Sequence, residues 1–135
     1  PDGDFLRRLI RAMGLEDTVI MAGYQPNPYP YMKHSRFLVS SSYTEGLPVI
    51  AMEALCLGVP MVTPIDSVGE VFGGESCGLI TENTNPALEG AIARMLTDEA
   101  FYQQTVQGAK NRSAYFDGTR MIQEVEAMFE ELAKT

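Results

Sequence analysis

The chain has 135 residues, 45% of them hydrophobic, and ten Lys plus Arg against eighteen Asp plus Glu give a net charge of -8. That length and apolar content suit one domain with one core. The acidic balance, with no basic run interleaved with aromatics, argues against nucleic acid and against membrane contact from this segment, and no apolar run approaches the roughly 18 residues of a membrane span.

Cys56 and Cys77 show neither metal-ligand spacing nor a disulfide framework, so both read as buried free thiols in a reducing compartment, which makes the expected location cytoplasmic. The sequence opens at Pro1 with no initiator Met and no signal peptide and runs at once into a helix, which reads as a piece of a larger protein.

Leu6, Leu9, Ile10 and Met13 recur at helical spacing. The spacing predicts a first helix over 4–13, capped by Asp4 and ended by Gly14 in a left-handed conformation. Asp2-Gly3-Asp4 imitates a metal-binding Asp-x-Asp pair, but a helix-capping turn explains it better. Thr18 to Ala22 and Phe37 to Ser40 are short apolar runs that read as buried parallel strands. Between them, residues 24–30 hold too many prolines for regular structure, and Tyr31 to Ser35 suits one short helix. His34, the single histidine, sits in a polar segment and reads as a partly exposed side chain.

Met61 to Thr63 predicts a third strand and Gly78 to Thr81 a fourth, with a helical turn over Val68 to Phe72 ended by Gly73 and Gly74. Beyond Ile80 the pattern is helical: 86–96 behind a cap at Asn85, 99–113 behind Asp98, and 119–134 with Ile122, Val125, Met128, Phe129 and Leu132 on one stripe. Glu124, Glu126, Glu130 and Glu131 read as its solvated face. Helices alternating with buried strands predict an α/β fold, a Rossmann-like parallel sheet with flanking helices. The chain reads as a single partial domain over 1–135, a core to about residue 82 and a helical tail from about 83.

The richest stretch runs from Ser42 to Leu55 and on through Gly58-Val59-Pro60. Glu53 is the one charge in an apolar helix, and a buried lone charge costs several kcal/mol unless it is paired, so it needs a protein partner or a ligand. Ligands of open parallel sheets bind outside the carboxyl ends of the strands, and residues 40–47 form such a loop. Pro48 suits the first helical position. The backbone N–H groups of Gly46, Leu47, Val49 and Ile50 then gather at a positive helix end that favours a phosphate. Gly46 removes the side chain where a ligand would approach, and Gly58 closes the helix. Two carboxylates pointing at a phosphate would repel it. Glu45 and Glu53 more plausibly accept hydrogen bonds from hydroxyls on either side, as the two ends of a nucleotide sugar would supply.

Ser42, Glu45-Gly46-Leu47-Pro48, Glu53-Ala54, Gly58-Val59-Pro60, Gly69-Glu70 and Gly78-Leu79-Ile80 resemble the donor-binding domain of retaining glycosyltransferases with the two-domain GT-B fold, the glycosyl transferases of group 1. The resemblance extends upstream to 19–24 and 36–41. It covers roughly residues 1–82.

The resemblance implies that Glu45 contacts hydroxyls of the transferred sugar at the catalytic centre, and that Glu53 accepts from the ribose. Backbone amides around Gly46 to Val49 would hold the diphosphate, with Leu47 and Pro48 part of that donor-binding segment, and the Gly23-Tyr24-Gln25 loop would lie near the base. It implies a nucleotide-diphosphate sugar as substrate, no metal and no other cofactor, and catalysis by stabilising the departing diphosphate. An acceptor would bind an N-terminal domain that this chain does not contain.

The family's Arg and Lys at the diphosphate would precede Pro1, and its first two strands, which lie between those at Val19 and Phe37, are absent here. The expectation is therefore a split sheet whose exposed edges lead to a homodimer or to a repositioned first strand, and a piece inactive by itself. A nucleotide-sugar epimerase of the same fold and a non-catalytic nucleotide-binding or regulatory domain are the alternatives. A dinucleotide-dependent dehydrogenase is disfavoured, because no Gly-x-Gly-x-x-Gly follows a strand. Without the motif, Glu53 would read as a structural acid and Glu45 as a solvated loop acid. Glu70 reads evenly between the start of a short helix near the donor and a plain surface acid.

Overall fold

The structure, a computed structural model, describes residues 2–42 and 48–116. In chain order they form α1 (Asp2–Ala12), α2 (Tyr29–His34), β1 (Leu38–Val39), α3 (Val49–Cys56), β2 (Met61–Thr63), α4 (Val68–Phe72), β3 (Gly78–Ile80), α5 (Asn85–Thr97) and α6 (Glu99–Ser113), followed by a 3-10 turn over Ala114–Phe116. The helix expected over 119–134 lies outside the described residues.

The strands form one parallel sheet in the order β1-β2-β3, with Leu38 opposite Met61 and Met61 opposite Gly78. All three residues of β2 are buried, as a central parallel strand covered on both faces requires. Met61 packs on one face with Ala51 and Leu55 of α3, Val68, Val71 and Phe72 of α4, and Ala109 of α6. Val62 packs on the other with Ala91 and Met95 of α5, joined by Phe37, Leu79 and Leu88. The result is helix, sheet, helix, the α/β architecture expected of alternating strands and helices. Arg36 ties the entry of β1 to the α5–α6 corner: its guanidinium lies 3.7 Å from the centre of the Tyr102 ring, donates to the Met95 carbonyl, and reaches Glu99 at 2.6 Å.

Two of the expected caps differ and a third holds. Asp4 does not cap α1, because the helix already starts at Asp2 and the Asp4 carboxylate pairs with Arg7 at 2.9 Å. α5 is capped by Thr84, whose hydroxyl accepts from Ala87 N–H at 3.3 Å, with Asn85 inside the helix. Both residue types can cap, and the side chain able to reach the third N–H onward takes the role. Asp98 caps α6 as expected, accepting from Phe101 N–H at 3.0 Å.

The larger correction concerns Thr18 to Ala22, which is neither a strand nor buried: Ile20 is 85% exposed, and Val19 and Met21 are exposed as well. The Thr18 and Val19 N–H groups bond back to Leu15 in a helical turn. Apolar β-branched residues suit a strand, but a strand also needs a neighbour for its N–H and C=O groups. Among the described residues the sheet ends at β1, so the run has none. Cys56 is a second correction. It is exposed while Cys77 is buried, because it lies three residues beyond Glu53 on the outward face of α3.

Candidate functional site

The carboxyl ends of all three strands open onto one side of the sheet, as parallel strands must. Ser41 follows β1, Pro64 follows β2, and Asn83, Thr84 and Asn85 lie between β3 and the first turn of α5. With Leu88 they line a cleft of about 220 Å³. Thr63, at the end of β2, is fully buried and fixes the turn out of the strand by accepting from Ile65 N–H at 3.2 Å. The sequence reading missed this cleft, although every residue in it follows a strand or opens a helix. Glu70 is exposed in the first turn of α4.

Helix α3 carries the motif. Pro48 precedes it as the N-cap, buried, with φ -74 and ψ 103, one residue earlier than its expected place at the first helical position. Pro48 offers no side-chain acceptor to this end, so the first N–H groups of the helix receive no cap from it. Val49 is 59% exposed. The far end closes at Gly58 with φ 70, a left-handed conformation that glycine adopts without strain. Ala51, Ala54 and Leu55 hold the helix against the core.

Glu53 projects from the fifth position of α3, about 6 Å along the axis from its start. It is half-buried, and the Tyr29 hydroxyl donates to its Oε1 at 3.0 Å. The carboxylate is half-buried rather than buried, and the Tyr29 phenol is a protein partner of the kind the sequence called for. That bond, with the carboxylate's charge, raises the Tyr29 pKa above its ordinary value, so the phenol stays protonated and a donor. Tyr29, Met52, Glu53, Cys56 and Leu57 line a cavity of about 330 Å³. Partial desolvation and then the nearby Glu53 charge also push the Cys56 thiol upward.

Gly23 takes φ 68, Tyr24 is 90% exposed, and the Gln25 amide donates to the Ala22 carbonyl at 2.7 Å. Glu45, Gly46 and Leu47 lie outside the described residues. His34 is exposed, its ring 2.7 Å from the Pro30 carbonyl. Among the described residues, no helix is long and apolar enough to cross a membrane.

Several known proteins contain related chains. Over 125 residues, 90% of this chain, it is 30% identical to N-acetylgalactosamine-N,N'-diacetylbacillosaminyl-diphospho-undecaprenol 4-alpha-N-acetylgalactosaminyltransferase of Campylobacter jejuni, of which it covers 34%. It is 29% identical over 136 residues, 98% of the chain, to an exopolysaccharide phosphotransferase of Streptomyces coelicolor, covering 14% of that protein. The chain thus spans about a third or less of these relatives' length. Its fold superposes on sucrose-phosphate synthase from Thermosynechococcus elongatus, a GT-B glycosyltransferase, with a TM-score of 0.77 and 25% identity, covering 99% of this chain and 36% of that one. The family model for glycosyl transferases group 1 matches residues 1–112, and the chain belongs to that family.

Proposed function

We propose that this chain is the donor-binding part of a retaining glycosyltransferase, which moves a sugar from a nucleotide-diphosphate sugar to an acceptor in the synthesis of a glycan, glycolipid or polysaccharide. The observation that carries the reading is Glu53. It is a partly exposed carboxylate within α3, a helix that follows β1 in the chain and whose N-cap residue is Pro48, in a chain of this family. In the proposed chemistry the anionic diphosphate lies at the α3 N-terminus, where backbone N–H groups and the helix dipole favour it most as charge develops on the leaving group. Glu45 takes hydroxyls of the transferred sugar, Glu53 takes the ribose, and Gly23, Tyr24 and Gln25 lie toward the base. The reaction needs no metal, because the charge is met by amide dipoles. The acceptor binds a second domain.

The two acids are separable by titration calorimetry with a nucleoside diphosphate and with the intact sugar donor. Glu53→Gln is expected to weaken the nucleoside diphosphate by about 10-fold, the loss of a hydrogen bond to a charged group. Glu45→Gln is expected to spare it and weaken only the sugar donor. Equal losses of nucleoside diphosphate affinity in both variants would overturn the assignment.

A further inference from the structure

The residue that the motif does not explain is Tyr29. It lies 24 positions before Glu53, yet its hydroxyl is the hydrogen-bond donor that the structure gives to that carboxylate. Three features hold it there. Pro26, Pro28 and Pro30 alternate through the approach to α2, and each ring fixes φ, so the segment has few conformations to choose among. The Tyr29 N–H donates to Asn27 Oδ1 at 3.2 Å, which ties the phenol-bearing residue to the turn before it. One turn on, Met32 is buried against Ala54 and Val59. That contact fixes the register of α2 along α3.

An ionised carboxylate has two oxygens and about four acceptor sites, so a single phenol leaves capacity for further donors. A glutamate side chain free in water samples many rotamers, and a ligand that selects one loses affinity in proportion. One hydrogen bond from an anchored donor removes much of that freedom beforehand. The carboxylate also faces a cavity that is otherwise mostly apolar, built from Met52, Cys56 and Leu57, so hydroxyls arriving there would find Tyr29 and Glu53 as its polar end.

We propose that Tyr29 is a positioning residue for Glu53: its hydroxyl orients the carboxylate toward the ribose hydroxyls of a bound nucleoside diphosphate, and so sets a preference for ribonucleotides over deoxyribonucleotides. This rests on the ribose role given to Glu53 above. Tyr29 is 45% exposed, so Tyr29→Phe removes the hydroxyl without opening the core.

The test is titration calorimetry on the full chain with ADP, GDP and UDP, followed by the 2′-deoxy and 3′-deoxy forms of whichever binds most tightly, using wild type, Tyr29→Phe, Glu53→Gln and the double variant. Tyr29→Phe is expected to weaken the ribonucleotide about 5-fold and the deoxy form lacking the recognised hydroxyl far less, so that the ribo-to-deoxy ratio falls. The double variant is expected to lose no more than Glu53→Gln alone, the signature of two groups acting through one contact. Wild-type affinity and ratio in Tyr29→Phe, beside a loss in Glu53→Gln, overturn the role of Tyr29 and leave Glu53 standing. Equal losses for ribo and deoxy forms in Tyr29→Phe also overturn it, since a merely structural role would produce them. Wild type that binds no nucleoside diphosphate, or Glu53→Gln that binds as well as wild type, overturns the reading of Glu53 and this proposal with it.

Discussion

Cys56 and Cys77 show what one side chain's surroundings decide. Cys77 has no exposed surface, and its thiol is pushed up to about 11 by burial first and then by Glu75, against a smaller pull from Arg112. Cys56 stands at the lip of the cavity beside Glu53, exposed, with its thiol raised less. A thiol reagent at about pH 8 is therefore expected to modify Cys56, slowly for an exposed thiol, and to reach Cys77 only when guanidinium is added. Two fast-reacting thiols in the folded protein would contradict this. The same shift carries a pH dependence. The folded state keeps the Cys77 thiol neutral, so this contribution to stability is complete below the unfolded value near 8.5 and is lost as pH rises through about 11. The thermal midpoint is expected to fall over that window, and less steeply in Cys77→Ala, which has no thiol to ionise. Identical slopes in the two proteins would rule the thiol out. Sequence could not separate the two cysteines, because α3 is apolar on nearly every side and its outward face becomes visible only when the core is in place.

Helix α6 shows how one missing side chain positions an element. Gly108 is buried in mid-helix, where a Cβ would collide with the backbone carbonyl of Ser76, the residue that leads into Cys77 and β3. Alanine is ordinarily the better helix residue by about 1 kcal/mol. Here the clash is with backbone, and overpacking of this kind costs about 1–3 kcal/mol, so Gly108→Ala is expected to lower stability despite its propensity. Gly90 in α5 has nothing within 4 Å of its added Cβ, and Gly90→Ala is expected to raise stability by about 0.5–1 kcal/mol. Denaturant midpoints of the pair check both signs, and a gain at both positions would mean that α6 sits farther from Ser76. The other elements were legible in proportion to how locally they are determined. β2 and α4 follow from short apolar runs bounded by Pro60, Ser67 and Gly73, and their limits agree with expectation. α3 was legible as a helix with an acid on it. The partner of that acid was not, because Tyr29 and Glu53 meet only through the packing of Met32 on Ala54, and no spacing in the sequence encodes that approach. Thr18 to Ala22 failed for the complementary reason: composition records a preference for a ladder, and the ladder itself depends on a second strand.

Among the described residues, the buried clusters begin at Met32, and no residue of α1 or of the turn after it belongs to them. Arg7, Ile10 and Arg11 of α1 share a cavity of about 200 Å³ with Glu16, Val19 and Met21 of the turn after it. Phe5, Leu6, Leu9, Met13, Val19, Ile20 and Met21 remain exposed within that stretch, a density of apolar surface that soluble monomers rarely leave uncovered. The outer edge of β1 is also unpaired among the described residues, and Val39 there is 43% exposed. Against these stands the net charge of -8, whose self-repulsion opposes association and weakens as salt shortens the Debye length from about 14 Å at 0.05 M to about 4 Å at 0.5 M. Attraction through apolar surface is not screened in this way. The isolated chain is therefore expected to associate with itself as concentration rises, more in about 0.5 M than in about 0.05 M sodium chloride. Ile20→Asp, which sets a charge on the most exposed of these seven positions, is expected to reverse much of the effect while leaving the melting temperature within a few degrees, since Ile20 is 85% exposed. Sedimentation velocity across a concentration series at both salts measures it. A single monomeric species in both salts would show that α1 and the turn after it satisfy their own apolar surface, and that the charge is not what keeps the chains apart.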